Sequence, residues 1–330
     1  MKEKLIFIFT ESLSHTGLGH LGRCTALAEI LIESGYYIEM ILHSDGTGIG
    51  NNTNFPIHVL DWKNPEVLNN LLEKNNISFA FVDSYLADEK IYRVISNRVI
   101  KLISIDDTNR IVYPVGSTIL NPGFGGNYIE YDKDKNTVLS GVKYVLLRKP
   151  FRENFTIPDL RENIQSVLII VGGEDRLNLV PKILNWLKEK YPQWKKQIVI
   201  GPAFKNLDSI QESKDENTFL YKNIDAFAMR DLMLSVDLAI TAGGQTTYEL
   251  ASCGVPMVIV EVADNQKKNI QGFSELGVPN LLGYKDEFNL FNKFTEIVSM
   301  LLSKEKRIAQ REQFIRIKSN RLSQLELFFI

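Results

Sequence analysis

The sequence predicts an α/β protein built from two parallel-sheet domains, and three observations carry that prediction. Short apolar runs alternate with stretches of helical periodicity, the pattern of strands that are buried on both faces and joined by crossover helices. The alternation runs twice, in two series separated by a polar, Pro-containing segment, Lys149 to Pro158. The 330 residues also exceed what one hydrophobic core normally serves, since domains run at roughly 150 residues. The expected division is therefore residues 1–150 and 151–330.

In the first series, Leu5 to Phe9 reads as a buried strand, and Leu21, Cys24, Leu27, Ala28 and Leu31 mark one face of a helix that Gly35 ends. Tyr37 to Leu42, Phe79 to Val82 and Lys101 to Ile105 read as further strands, with helices near Glu66 to Lys74 and Asp88 to Ser96. In the second, Ser166 to Val171, Gln197 to Ile200, Leu238 to Thr241 and Met257 to Val260 are the strands. Helices fall near Leu179 to Lys190, Arg230 to Ser235 and Thr246 to Cys253. Phe288 to Ile330 reads as one or two helices. Its apolar end, Leu325 to Ile330, is expected to pack back on the first domain, because exposed it would be an aggregation liability. The basic residues Arg307, Arg311, Arg316 and Lys318 are expected to form a solvated helix face, and Trp186 and Trp194 to serve packing.

Composition narrows the function. Hydrophobic residues make up 44% and charged residues 24%, with 38 Lys and Arg against 40 Asp and Glu, so the net charge is −2. Binding to a nucleic acid rests on many phosphate-neutralising cations, and no such excess is present. Cys24 and Cys253 are far apart and lack metal-ligand spacing, which fits a reducing cytoplasm. Met1 to Lys4 leads into only five strongly apolar residues, a core strand instead of a signal peptide. No window approaches the 18 or more apolar residues of a membrane span.

In an open parallel sheet, ligands gather beyond the carboxyl ends of the strands. The first such loop is Thr16-Gly17-Leu18-Gly19-His20-Leu21-Gly22-Arg23. Gly17 and Gly19 permit positive φ and close approach of a ligand to the backbone. His20 either moves a proton near neutrality, from an ordinary pKa of about 6.5, or caps its own helix. No acid closes the next strand, so the glycines are not a strict dinucleotide fingerprint. A second loop, Ala242-Gly243-Gly244-Gln245-Thr246, opens a helix whose amides and hydroxyls suit a diphosphate. Glu249, one turn in, is placed either to accept both ribose hydroxyls or only to complement the helix dipole. Asp264-Asn265-Gln266 follows the next strand with side chains able to hydrogen-bond a sugar or phosphate. Gly172-Gly173-Glu174-Asp175 either lets the backbone meet a nucleotide or is a tight turn. His15, His43 and His58 read as surface or loop residues.

Taken together, Gly17 to Arg23, Gly141 to Arg148, and Gly243-Gly244 through Tyr248-Glu249-Leu250-Ala251 to Gly254-Val255-Pro256 and Asn265-Gln266 resemble one family. It is the UDP-2,4-diacetamido-2,4,6-trideoxy-beta-L-altropyranose hydrolases of pseudaminic acid synthesis, similar in turn to the glycosyltransferases that form lipid II. The resemblance implies a GT-B fold, two Rossmann-like domains with the active site in a cleft between them, and a UDP-sugar substrate. It implies that His20 is catalytic, activating a water that attacks the anomeric carbon while UDP leaves. Glu249 would bind the ribose, and Gly172, Gly173, Gly243, Gly244, Gln245 and Thr246 the nucleotide. Gly17, Gly19, Arg23, Glu11, Asp83, Tyr85, Asn265 and Gln266 would contact the sugar. No metal and no cofactor is required by this scheme. A glycosyltransferase of the same fold and a non-catalytic nucleotide-sugar-binding subunit are the alternatives.

The chain departs from the family at the end of its first strand, where relatives often carry Arg-x-Asp and this sequence has Phe9 and Glu11. That strand end is expected to face the sugar. Asp83-Ser84-Tyr85 and Asp106-Asp107 also follow strands. Adjacent side chains on extended chain point opposite ways, so one of the two acids is expected to face inward and the other to cap a turn.

Overall fold

The computed structural model describes residues 5–14, 19–46, 53–281 and 287–319. His15, Gly17 and the apolar run 325–330 lie outside the described residues. The chain divides between Lys149 and Pro150 into two compact units.

The first unit holds a seven-stranded sheet in the order β3-β2-β1-β4-β5-β6-β7. Its strands are β1 (Leu5–Ser12), β2 (Tyr37–Ser44), β3 (Ile57–Val59), β4 (Ile77–Asp83), β5 (Lys101–Ile105), β6 (Thr118–Asn121) and β7 (Thr137–Ser140), all paired in parallel. Helices α1 (Gly19–Glu33), α2 (Pro65–Lys74) and α3 (Glu89–Ser96) make the crossovers. Local chemistry fixes their ends. Asn64 accepts from the Glu66 and Val67 amides before Pro65, Asp88 accepts from the Ile91 amide, and Gly35 leaves α1 at φ 83°. Strand β1 separates two cores. Ile6 and Ile8 pack with Leu27 and Leu31 of α1, whereas Phe7 and Phe9 pack with Leu68 of α2 and Ile91 of α3.

Phe9 therefore does not face a sugar. It is fully buried, with ring centroids 6.0 Å from Phe7 and 5.4 Å from Trp62. Successive side chains on a strand point to opposite faces, and position 9 points into the core.

The second unit repeats the design with six strands ordered β10-β9-β8-β11-β12-β13. They are β8 (Ser166–Ile170), β9 (Lys195–Ile200), β10 (Thr218–Lys222), β11 (Leu238–Ala242), β12 (Met257–Val260) and β13 (Asn280–Leu281). Between them run α5 (Leu179–Lys190), α6 (Leu207–Ser213), α7 (Ala226–Leu234), α8 (Thr246–Ser252) and α9 (Lys267–Glu275), followed by α10 (Glu287–Leu301) and α11 (Lys304–Ser319). Trp186 and Trp194 belong to the core, as expected of residues on or just after an amphipathic helix. The segment expected to be a plain linker starts as a helical turn, α4 (Lys149–Arg152). In it Phe151 is fully buried and its carbonyl accepts from Ser252 Oγ at 2.7 Å.

Of the basic residues expected on a solvated face of α11, Arg316 is exposed, whereas Arg307 and Arg311 are turned to backbone carbonyls. Arg307 is fully buried and donates to the carbonyls of Arg161 and Glu162 at 3.1 and 2.6 Å, and Arg311 donates to those of Gly254 and Pro158. Gln310 pairs with both backbone groups of Met257. These side chains satisfy carbonyls of the connecting segments and both backbone groups of the first residue of β12, which fixes α11 on the second unit.

Candidate active site

Each sheet reverses its strand order once. In the first unit the order reverses between β1 and β4, so the loops leaving those two strands diverge and leave a crevice at their carboxyl ends. The register sets Thr10 of β1 opposite Asp83 of β4, and α1 starts just beyond. Glu11, His20, Arg23, Asp83 and Tyr85, five of the residues singled out in the sequence, meet here.

His20 sits in the first turn of α1, 4% exposed, with Nδ1 2.9 Å from Asp83 Oδ1. That contact becomes an ion pair when the imidazole is protonated, and Nε2 has no hydrogen-bond partner among the described residues. Arg23, one turn on, forks onto the same carboxylate, Nε to Oδ2 at 2.8 Å and Nη2 to Oδ1 at 2.7 Å. Its remaining nitrogen, Nη1, reaches Asp107 Oδ2 at 3.3 Å. Asp107 Oδ1 accepts from the Tyr85 hydroxyl at 2.7 Å, and the Tyr85 ring stands edge-on to His20, centroids 4.3 Å apart.

The electrostatics follow from this packing. Burial works to lower the pKa of His20, but the Asp83 carboxylate outweighs it and raises the imidazole above its ordinary value. Burial likewise works to raise Asp83, yet Arg23 and His20 hold it well below the usual carboxylate range. The group is therefore an ionised carboxylate that orients an imidazole and increases its basicity. Burial first, and Asp83 beside it, push the Cys24 thiol well above its usual value, which leaves it a neutral weak donor 3.6 Å from Asp83.

These contacts show what holds the residues expected at the sugar. Asp83 is the partner of His20, and each guanidinium nitrogen of Arg23 reaches Asp83 or Asp107. Glu11 is fully buried and accepts from Ser84 Oγ at 2.5 Å and from the Tyr85 amide at 2.9 Å, so it holds the turn after β4. Gly19 has helical backbone, not a positive φ, and a Cβ there would meet nothing within 4 Å. Of the acid pair, buried Asp106 is itself the turn-former, accepting from the Asn109 amide at 2.7 Å and from Tyr131 at 2.7 Å, while Asp107 reaches the Arg23 cluster. The sequence left open which of the two acids faces inward; the position of Asp107 after β5, next to β4, was the available signal.

In the second unit the order reverses between β8 and β11, and the two glycine loops flank that point. Gly172 takes φ 100° and is exposed, and the Gly173 carbonyl accepts from the Ala203 amide at 3.0 Å. Asp175 ends the turn by accepting from the Leu179 and Val180 amides. A Cβ on Gly201, which the sequence did not flag, would come within 2.5 Å of the Gly172 carbonyl oxygen. Gly243 is required by packing, since a Cβ would meet Ile270 Cγ1 at 2.5 Å, whereas Gly244 is open, its nearest neighbour being Gln266 Nε2 at 4.0 Å. Gln266 Oε1 accepts from the amides of Gly243 and Val262 at 3.2 and 3.1 Å, and Asn269 Nδ2 holds the Gly243 carbonyl at 2.7 Å. Gln245 and Thr246 lead into α8, where Glu249 is buried, and Asn265 is exposed. Among the described residues no group of three or more His, Cys, Asp or Glu could hold a metal ion, and no helix is long and apolar enough to cross a membrane.

Residues 166–321 match the glycosyltransferase family 28 C-terminal domain. An uncharacterised protein of Methanocaldococcus jannaschii is 27% identical over 80% of this chain and 57% of its own length. The Helicobacter pylori pseudaminic acid cytidylyltransferase and UDP-2,4-diacetamido-2,4,6-trideoxy-beta-L-altropyranose hydrolase is 25% identical over 84% of this chain and 48% of its own length. The chain thus spans about half the length of these two relatives. Among solved structures, MurG of Acinetobacter baumannii superposes with a TM-score of 0.60 at 15% identity, covering 96% of this chain and 98% of that one. The spinosyn rhamnosyltransferase SpnG superposes with a TM-score of 0.70 at 12% identity, covering 98% of both chains, and is also known in complex with thymidine diphosphate. The chain has the two parallel α/β units of the GT-B fold, matches the glycosyltransferase family 28 C-terminal domain in its second half, and is similar over most of its length to the hydrolase-bearing protein of H. pylori.

Proposed function

We propose that this protein hydrolyses a UDP-linked diacetamido-trideoxy hexose at the anomeric carbon, releasing the free sugar and UDP. The observation that carries the reading is the buried His20–Asp83 pair at the switch point of the first sheet. All four histidines of the chain lie before residue 60, so imidazole chemistry belongs to the first unit. Neutral His20 takes a proton from water at Nε2, and the water oxygen bonds to the anomeric carbon. The C–O bond to the β-phosphate breaks, and the electron pair leaves on UDP. Asp83 stabilises the imidazolium that forms, as a carboxylate beside a catalytic imidazole does. Gly172, Gly173, Gly243, Gly244, Gln245 and Thr246 are assigned to the nucleotide, Glu249 to its ribose, and Asn265 and Tyr85 to the sugar.

The family 28 domain and the transferase neighbours favour one second reading, transfer of the sugar to an acceptor hydroxyl deprotonated by the same imidazole. Incubation with UDP-, GDP- and CMP-sugars in the absence of acceptor separates the two. Free sugar and UDP accumulating in equal amounts supports hydrolysis, and turnover only on adding an acceptor supports transfer. His20→Ala is expected to lower kcat by about 10²–10⁴-fold with UDP affinity nearly intact, and Glu249→Ala to raise KM strongly. UDP binding without turnover, unaltered by His20→Asn, would leave only a binding role.

A further inference from the structure

We propose that Asp107 is a positioning residue: as the second anchor of the Arg23 guanidinium, it fixes the carboxylate that aims His20. The proposal rests on His20 serving as the base. Five side chains from three neighbouring loop-and-helix segments close a circuit. His20 meets Asp83, Asp83 is forked by Arg23, Arg23 Nη1 reaches Asp107, Asp107 accepts from Tyr85, and the Tyr85 ring returns to the edge of His20. The Arg23 side chain is 12% exposed and that of Asp83 only 1%. A buried planar guanidinium held only by one carboxylate can rock about that fork. A second carboxylate on its far nitrogen removes that freedom.

Asp106 cannot take over, because its oxygens are committed to the Thr108 and Asn109 amides and to Tyr131. The charged and titratable groups facing the pair are Glu11 from β1, Arg23 and the Cys24 thiol from α1, Tyr85 from the turn after β4, Tyr92 from α3, and Asp107 beyond β5. Arg23 opposes protonation of His20, and Asp107 offsets part of its charge.

The test follows His20 directly by ring-proton NMR, which needs no substrate and only four histidines to assign, with His20→Gln identifying the resonance. In Asp107→Asn the His20 midpoint is expected to fall by about half a pH unit or more. With substrate, kcat is expected to fall about tenfold with KM within about twofold, and Asp107→Glu should recover part of both. In an Arg23→Gln background the same Asp107→Asn change should shift the midpoint no further, because the linkage runs through Arg23. Should that background fail to fold, Arg23→Lys, which keeps the charge but not the fork, carries the same comparison. An unmoved midpoint in Asp107→Asn, or an equal shift without Arg23, overturns the proposal. A normal midpoint response in a protein that turns over no nucleotide sugar would sink the hydrolase reading and leave the circuit standing.

Discussion

His20 can accept a proton only when neutral, so its raised pKa decides where activity begins. The acid limb of kcat/KM should lie above pH 6.5, with the rate lost as pH falls through the raised midpoint. Asp83→Asn removes the charge that raises it, so the limb should move down in pH while the rate on its plateau drops. A limb at or below pH 6 in the unmutated protein would contradict the pairing of these groups. His20 and Asp83 were both visible in the sequence, but their relation was not. Asp83 was read as a sugar contact because nothing in a linear chain says that β4 lies beside β1 with Thr10 opposite Asp83. Phe9 misled for a similar reason: position 9 was expected at a strand end facing the sugar, yet the side chain belongs to the core against Trp62.

Long, apolar or well-capped elements were legible and short edge elements were not. Strands β1, β5, β8 and β12 and helices α2, α3 and α5 follow from apolar runs and periodicity. Strands β3 and β13, with three and two residues, are too short for any period to register, and β10 is an edge strand of mixed polarity. Helix α11 was legible as a helix but not in its docking, because polar side chains, not an apolar stripe, attach it. Arg307→Ala should therefore destabilise the protein by about 3 kcal/mol, while exposed Lys306→Ala stays within about 0.5 kcal/mol, both read from urea midpoints. The loops of the second sheet give a graded test. Gly201→Ala drives a methyl into backbone carbonyls and should cost at least about 3 kcal/mol, the upper end of overpacking. Gly243→Ala meets the Ile270 side chain instead of backbone and should cost less than Gly201→Ala. Gly244→Ala should leave stability unchanged, so any loss of UDP affinity in that variant reports a ligand close to its backbone.

The two units share one strand order, each with a single reversal, and the polar loops divide between them by chemistry. Around the first reversal stand an imidazole and its charged partners; around the second stand glycines, amides and small hydroxyls, with no histidine anywhere in that half. Alternating strands and helices made this duplicated design readable, but that pattern does not distinguish which bond of a nucleotide sugar is cut. The proposed placement of the base at the sugar, and of the amides at the diphosphate, does make that distinction. Attack at the anomeric carbon leaves both bridging and terminal phosphate oxygens untouched, whereas attack at phosphorus writes a solvent oxygen into UDP or splits the diphosphate into UMP and a sugar 1-phosphate. Turnover in water enriched in oxygen-18 should therefore give unlabelled UDP, read by mass spectrometry of the nucleotide because a free sugar exchanges its anomeric oxygen with solvent. One heavy oxygen in UDP, or UMP with a sugar 1-phosphate, would place the attack at phosphorus and overturn the assignment of His20 to the sugar. Unlabelled UDP that appears only when an acceptor alcohol is supplied would keep the bond and change the nucleophile, making the same imidazole the base of a transferase.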